Sequence, residues 1–215
     1  MSLSSAATDL AAYGRERIGR SRIVILVAVI AALAFIVDAP RDAGNFLLRT
    51  VLSAILVASF RIWDDLADRD YDRVHHPARV LVRSAEARWF WTLVVGLGII
   101  SAYFLFAFGG SRSLSIYTGL IVVLAIVYHG PRRLRSDRFA HTQLVLIKYP
   151  VFITLLTAQG FSSKIVLVGA LSYLLMSMYE WFDDPTFHGK YLGGRIAVVS
   201  AVGLIAVVSL GNTHG

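Results

Sequence analysis

Residues 44–72 read GNFLLRTVLSAILVASFRIWDDLADRDYD and join a long apolar run to a dense acidic cluster. The run, 44–62, approaches the roughly 17–25 residues that a membrane-spanning helix needs. Five of the nine residues from Asp64 to Asp72 are aspartates. Because one carboxylate facing lipid costs about 2.5 to 3.5 kcal/mol, five would cost on the order of 15 kcal/mol. These side chains must therefore face water, a cavity or a cation, which indicates a functional site.

Similar apolar segments recur along the whole chain, which is 56% hydrophobic and only 16% charged. Soluble domains carry about 25% charged residues. We predict an all-α polytopic membrane protein, a single domain over residues 1–215, with about seven transmembrane helices around a central cavity. The predicted spans are 23–38, 44–62, 88–108, 114–129, 142–159, 164–182 and 194–211.

The distribution of Lys and Arg predicts the orientation of the chain. With the N-terminus in the cytoplasm, sixteen of these residues fall on inside segments and four on outside segments. Cytoplasmic loops carry the excess of positive charge, so we expect residues 1–22 and both acidic clusters to face the cytoplasm, at the plasma (inner) membrane. Since the basic residues lie between apolar segments, a nucleic-acid partner is not expected. The absence of cysteine excludes disulfides and thiolate sites.

The spacing of the first acidic cluster favours a cation site. If residues 60–72 continue the second helix, Asp65, Asp68 and Asp72 share one face, as do Asp64, Asp68 and Asp72. Carboxylates this close repel one another unless a cation lies among them. Mg²⁺ suits carboxylates combined with substrate phosphate oxygens.

A simpler alternative is a solvated helix end in which Asp70 pairs with Arg69 or Arg73. The same choice applies to the basic residues, because Arg79 could recognise a diphosphate or belong to a positively charged inside loop.

A second acidic cluster lies at the end of the sixth predicted helix. Glu180 shares a helical face with Asp183 or Asp184, and Pro185 is expected to stop or bend the helix. Two carboxylate groups facing each other across a cavity would suit two metal ions on one diphosphate. The alternative is a helix end that meets water.

Further polar residues lie near these clusters. Arg132 follows Tyr128 in a loop and could contact the same phosphates or be an inside-loop charge. Lys148 lies within the fifth span and either snorkels or pairs with an acid or a phosphate.

These motifs resemble those of the UbiA superfamily of intramembrane prenyltransferases. Its first motif, N-D-x-x-D-x-x-x-D, is similar to residues 64–72, with Asp64 in the Asn position. Val74, Pro77, Arg79 and Leu81 match the stretch that follows. Tyr128 to Arg133 resembles a Tyr-x-x-x-Lys-Arg loop. Residues 179–187 resemble the second acidic motif, with Asp183 as its first acid and Phe187 in place of its second.

The resemblance implies Mg²⁺-dependent transfer of an isoprenyl group from an isoprenyl diphosphate to a small, unknown acceptor within the bilayer. It implies catalytic roles for Asp65, Asp68, Asp72 and Asp183. The implied metal ligands are Asp64, Asp65, Asp68, Asp72, Glu180, Asp183 and Asp184. The implied diphosphate-binding residues are Arg79, Arg132, Lys148, Tyr128 and Tyr179. Since one helix follows the second motif where the family usually has more, a homo-oligomer or a partner subunit is a further expectation.

Three other classes of protein remain as alternatives. A UbiA-type terpene cyclase would ionise the same diphosphate and capture the cation internally. A transporter or a non-catalytic membrane subunit would fit the missing acid at Phe187. A CDP-alcohol phosphatidyltransferase is disfavoured, because residues 64–72 lack its characteristic Gly and Ala-Arg pair.

Overall fold

The computed structural model describes residues 3–19, 21–37, 42–130, 138–157, 162–183, 194, 198–203 and 205. The described part of the chain is helical and contains no strand, which confirms the all-α prediction. The helices are α1 (Leu3–Tyr13), α2 (Ser21–Val37), α3 (Ala43–Ala67), α4 (Arg69–His75), α5 (Val80–Arg83), α6 (Ala87–His129), α7 (Arg138–Leu146), α8 (Lys148–Leu155) and α9 (Ser163–Asp183). A π-helical turn, Gly14–Ile18, follows α1.

Two of these helices, α3 and α6, are long and apolar enough to cross a membrane. The segments Ser5–Ile18 and Arg22–Val37, which meet at 68°, make a third if they count as one span. The fifth predicted span corresponds to a shorter apolar stretch, Phe139–Leu155. Most of the seventh predicted span lies outside the described residues, so the number seven stays a prediction.

Helix α6 is divided by a kink at Gly110, whose backbone has φ 66° and ψ −158°. The two halves fold back on each other. This is shown by the hydrogen bond that the Tyr117 hydroxyl donates to the carbonyl oxygen of Gly98 at 3.3 Å. Residues 87–129 therefore form a helical hairpin, and its tip lies where the sequence separates the third and fourth predicted spans.

We expect Gly110→Ala to destabilise the protein by about 1–3 kcal/mol, because only glycine adopts this backbone region readily. A Cβ at Gly110 would have no atom within 4 Å, so the loss would come from the backbone and not from crowding. Gly96→Ala is the matched control: it has equal space within a helix and should be neutral or stabilise by up to about 1 kcal/mol. Unfolding in detergent measures both, and equal effects would contradict the kink.

Helix α3 is the central helix of the bundle and carries the acidic cluster at its C-terminal end. It begins with Asp42, whose side chain accepts a hydrogen bond from the Asn45 backbone N–H at 2.9 Å, a typical N-cap. Its buried face includes Leu52, Leu56 and Phe60, which pack between α2 and α6. This packing fixes the direction in which α3 presents its last turn.

The predicted continuous helix over residues 60–72 is broken at Asp68. Helix α3 ends at Ala67 and α4 begins at Arg69. The backbone of Asp68 has φ −90° and ψ 3°, which lies outside the α-helical region and interrupts the helix at one residue. Asp68 N–H still bonds to Asp64 O at 3.0 Å, and Asp72 N–H to Asp68 O at 2.9 Å. The three aspartates therefore remain one turn apart from one another.

Candidate functional site

A polar cavity of about 540 Å³ opens at the C-terminal end of α3. The π-helical turn, α3, α4, the loop after α4, α7 and α9 all contribute to its walls. The charged residues that line it are Asp64, Asp65, Asp68, Asp70, Asp72, Glu180, Arg17, Arg61 and Arg79. The cavity thus brings the first acidic cluster together with Glu180 of the second cluster and with one predicted diphosphate-binding arginine.

Asp64 is held by two residues that lie behind the cavity lining. The Tyr128 hydroxyl and the Lys148 ammonium both donate to its carboxylate. Lys148 is 3% exposed. Buried lysines are rarely found without a charge partner, so this pair accounts for Lys148 within a predicted span.

Asp65 accepts three hydrogen bonds from two residues and also lies close to a second arginine. The Tyr13 hydroxyl donates to Oδ2 at 2.7 Å, and Arg17 donates through Nε and Nη2 at 2.8 and 2.5 Å. Arg61, one turn earlier on α3, lies 3.2 Å from Oδ1. Both carboxylate oxygens of Asp65 are therefore already engaged.

The remaining partners of the first cluster are arginines. Arg79 donates to Asp72, which is buried, across the loop that follows α4. Arg73 pairs with Asp70 at 3.0 Å, as the solvated-helix alternative predicts. The side chain of Asp70 is 91% exposed, so this last pair lies at the rim of the cavity.

Asp68 differs from its neighbours. Its carboxylate faces the cavity and has no hydrogen bond or ion pair with any other side chain that the structure describes. Burial between the cavity walls raises the pKa of Asp68 from 3.8 to about 6, and the negative charges of Asp64 and Asp72 add to the rise. When the Asp68 carboxylate is ionised beside Asp64 and Asp72, binding of a cation there is favoured because it reduces the repulsion among the three acids.

Glu180, on α9, lines the same cavity. It is the one residue of the second acidic cluster that the described part of the chain places beside the first cluster. The side chains of Asp183 and Asp184 lie outside the described residues, as does Arg132. Tyr179 hydrogen-bonds to Arg22 at 2.8 Å and is not one of the residues that line the cavity.

Within the described part of the chain, no three His, Asp or Glu side chains lie close enough to hold one metal ion by themselves. Mg²⁺ commonly uses one or two carboxylates and completes its octahedron with water and substrate phosphate oxygens. Asp68 offers one such carboxylate, and Asp72, one turn away, could offer a second in exchange for its pair with Arg79. The residues present therefore fit a Mg²⁺ ion that arrives with a phosphate-bearing ligand.

An aromatic cluster lies beneath the carboxylates. The ring of Phe60 lies 5.1 Å from Phe152 and 5.9 Å from Trp63, and Trp63 lies 5.2 Å from Tyr128. Since Tyr128 also contacts Asp64, the apolar interior of the bundle meets the charged cavity at this point.

Sequence reasoning missed three residues of the site: Tyr13, Arg17 and Arg61. Arg61 could have been found, because it stands four residues before Asp65 on the same helix. Tyr13 and Arg17 carried no such signal, since 52 and 48 residues separate them from Asp65.

Comparisons of this chain with protein-family models, with curated proteins and with solved structures found no match. The functional argument therefore rests on the residues of this cavity.

Proposed function

We propose that this protein transfers an isoprenyl group from an isoprenyl diphosphate to a small acceptor within the membrane, with Mg²⁺ as cofactor. The observation that carries the proposal is the cavity in which the Asp68 carboxylate, which has no hydrogen-bond or ion-pair partner among the described residues, shares one space with Arg17, Arg61 and Arg79. Carboxylates and arginines in one cavity suit a ligand that brings both divalent cations and phosphate oxygens.

The charge of the cavity supports a metal-bound ligand over a free anion. Six acids line it, with Asp70 at its rim, against three arginines. A free diphosphate would meet net negative charge there, whereas a diphosphate with bound Mg²⁺ would not. The requirement for Mg²⁺ follows from this balance.

An apolar groove offers a place for the isoprenoid chain. It has a volume of about 390 Å³ and lies between α3 and the α6 hairpin, with Phe60, Trp63, Trp91 and Tyr117 among its walls. Trp63 in its wall contacts Tyr128, and Tyr128 donates to Asp64 of the charged cavity, so the groove and the cavity are connected through these residues. A hydrophobic chain in the groove would place its diphosphate end near the aspartates.

In the proposed reaction, the bond between the allylic carbon and the diphosphate oxygen breaks, and the electron pair leaves with the diphosphate. An acceptor carbon or hydroxyl forms the new bond and then loses a proton. Mg²⁺, held by Asp68 with Asp72, would supply positive charge to the leaving oxygens. Arg79 and Arg61 orient the diphosphate, and the aromatic cluster keeps water from the allylic carbon.

We propose that the chain spans the plasma (inner) membrane seven times, with the N-terminus and this cavity on the cytoplasmic side. Exposed apolar side chains on the hairpin, such as Val95, Ile99 and Ile126, support contact with lipid. The excess of Lys and Arg on the same side as the cavity supports the orientation. A cysteine-labelling scan of the otherwise cysteine-free chain would test both, and labelling of the 109–113 segment only from the cytoplasm would contradict them.

The experiment that tests the function is binding of radiolabelled geranylgeranyl diphosphate to the purified chain in detergent, first with Mg²⁺ and then with EDTA. We expect binding that EDTA abolishes, followed by product formation when aromatic acceptors are added. Folded protein that binds no diphosphate with Mg²⁺ would refute the proposal. Cyclised product without any acceptor would point to the terpene cyclase instead.

A further inference from the structure

The N-terminal π-helical turn forms one wall of the cavity and is tied to both sides of it. Tyr13 and Arg17 bond to Asp65 at the end of α3. Between them, Glu16 accepts a hydrogen bond from the backbone N–H of Val80 at 2.9 Å. Val80 begins α5 directly after Arg79, so the turn connects α3 with the loop that carries this arginine. Such an arrangement fixes the position of the turn against the charged site.

Two arginines face Asp65 where this turn meets α3. Arg17 and Arg61 both lie within salt-bridge distance of its carboxylate. Asp68, whose carboxylate has no hydrogen-bond or ion-pair partner among the described residues, lines the same cavity. The cavity therefore contains both arginines and a carboxylate, the two kinds of group that a diphosphate with bound Mg²⁺ would contact.

The geometry of the Arg17–Asp65 pair leaves Arg17 able to bind a second anion. A guanidinium has five N–H donors, and Asp65 engages those on Nε and Nη2. The Arg17 side chain is 13% exposed, and it lines the cavity. Asp65, by contrast, is 7% exposed and already accepts three hydrogen bonds, so a metal would have to displace a bidentate pair to reach it.

Building on the proposed function, we propose that Arg17 binds the diphosphate, and that Asp65 is a positioning residue for Arg17 and not a ligand of the metal. The N-terminal turn then supplies part of the substrate site, although it lies outside both acidic motifs. Metal binding falls to Asp68, which lines the same cavity.

The first test compares the affinity of three variants for geranylgeranyl diphosphate at saturating Mg²⁺. Arg17→Gln should weaken binding by about 10- to 100-fold, which corresponds to the loss of charged hydrogen bonds. Arg17→Lys keeps the charge but not the planar fork, so it should fall between Arg17→Gln and the unmodified chain. Arg15→Gln is the matched control, since Arg15 lies on the same turn and is exposed, and it should bind as the unmodified chain does.

The second test measures the Mg²⁺ concentration that gives half-maximal diphosphate binding. Asp65→Asn should weaken diphosphate binding while leaving this concentration close to that of the unmodified chain. Asp68→Asn should strongly raise the Mg²⁺ concentration that gives half-maximal diphosphate binding. A purely structural role of Asp65 would lower stability without separating diphosphate affinity from Mg²⁺ dependence in this way.

The outcomes separate this inference from the proposed function. If the unmodified chain binds no diphosphate with Mg²⁺, both fail. If it binds, and Arg17→Gln binds equally well, only the role of Arg17 is overturned. If Asp65→Asn raises the half-maximal Mg²⁺ concentration as much as Asp68→Asn does, Asp65 is a metal ligand after all. Should Arg17→Gln not fold, Arg17→Lys decides, and unchanged affinity in that variant overturns the inference.

Discussion

Asp68→Asn is expected to weaken Mg²⁺-dependent diphosphate binding by at least about 100-fold and at the same time to make the metal-free protein more stable. Replacing groups in the outer shell of a metal site typically costs about 10- to 100-fold, and a direct ligand should cost at least as much. The gain in stability has a different origin, which lies in the repulsion between Asp68 and its acidic neighbours.

The sign of the stability change follows from the pKa. In the folded protein the pKa of Asp68 is about 6, above its ordinary value of 3.8, so the folded state holds this proton more tightly than the unfolded chain does. The ionised carboxylate therefore lowers the stability of the metal-free protein above about pH 6. We expect this contribution to recover as the pH falls through about 6, and to be absent in Asp68→Asn.

Melting temperatures in EDTA at several pH values, together with diphosphate binding, would measure both effects. Asp70→Asn is the matched control, because it removes the same charge two residues away from an exposed position at the rim. It should change neither quantity appreciably. An Asp68→Asn variant that binds diphosphate normally would refute the assignment of Asp68 to the metal.

Lys148→Met is expected to destabilise the protein by about 3–5 kcal/mol, the usual cost of removing one partner of a buried ion pair. Methionine is similar in size to lysine, so the loss would arise from the uncompensated Asp64 carboxylate and not from a cavity. Lys148 is 3% exposed, and its ammonium donates to Asp64. Tyr128 would then remain as its hydrogen-bond donor among the described residues.

A double-mutant cycle would isolate the pair. Adding Asp64→Asn to Lys148→Met should restore much of the lost stability, because neither charge is then left alone. Lys164→Met, at an exposed lysine of α9, is the control and should have little effect. Unfolding in mixed detergent micelles would give the free energies, and additive effects of the two substitutions would show that the pair contributes nothing.

The helical architecture could be predicted from sequence because apolar runs and their charged boundaries are local signals. The tip of the α6 hairpin lies where Gly109, Gly110 and Arg112 interrupt the apolar pattern of the sequence. The break at Asp68 was not predicted, since helical spacing assumes regular backbone angles at every residue, and those of Asp68 differ. The helical N-terminal segment was also missed, because its basic residues were interpreted only as cytoplasmic charges.

The site was predictable only in part, for a similar reason. Motif spacing found Asp64, Asp68 and Asp72, and it placed Glu180 on the same side of the bundle. Motif spacing could not assign a basic side chain to each carboxylate, because partners such as Arg17 and Lys148 lie on other helical elements. Lys148 was recognised as unusual from its apolar surroundings, yet its pairing with Asp64 depends on the packing of α8 against the rest of the bundle.

The pairing of Asp64 with Lys148 also has a consequence for how the protein is made. The two residues are 84 positions apart. At the usual synthesis rate of about 5–20 residues per second, Asp64 leaves the ribosome roughly 4 to 17 s before its partner. The nascent α3 must therefore hold an uncompensated acid at its end during that interval. Final closure of the charged site is consequently a late event in biogenesis, and it follows the arrival of α8.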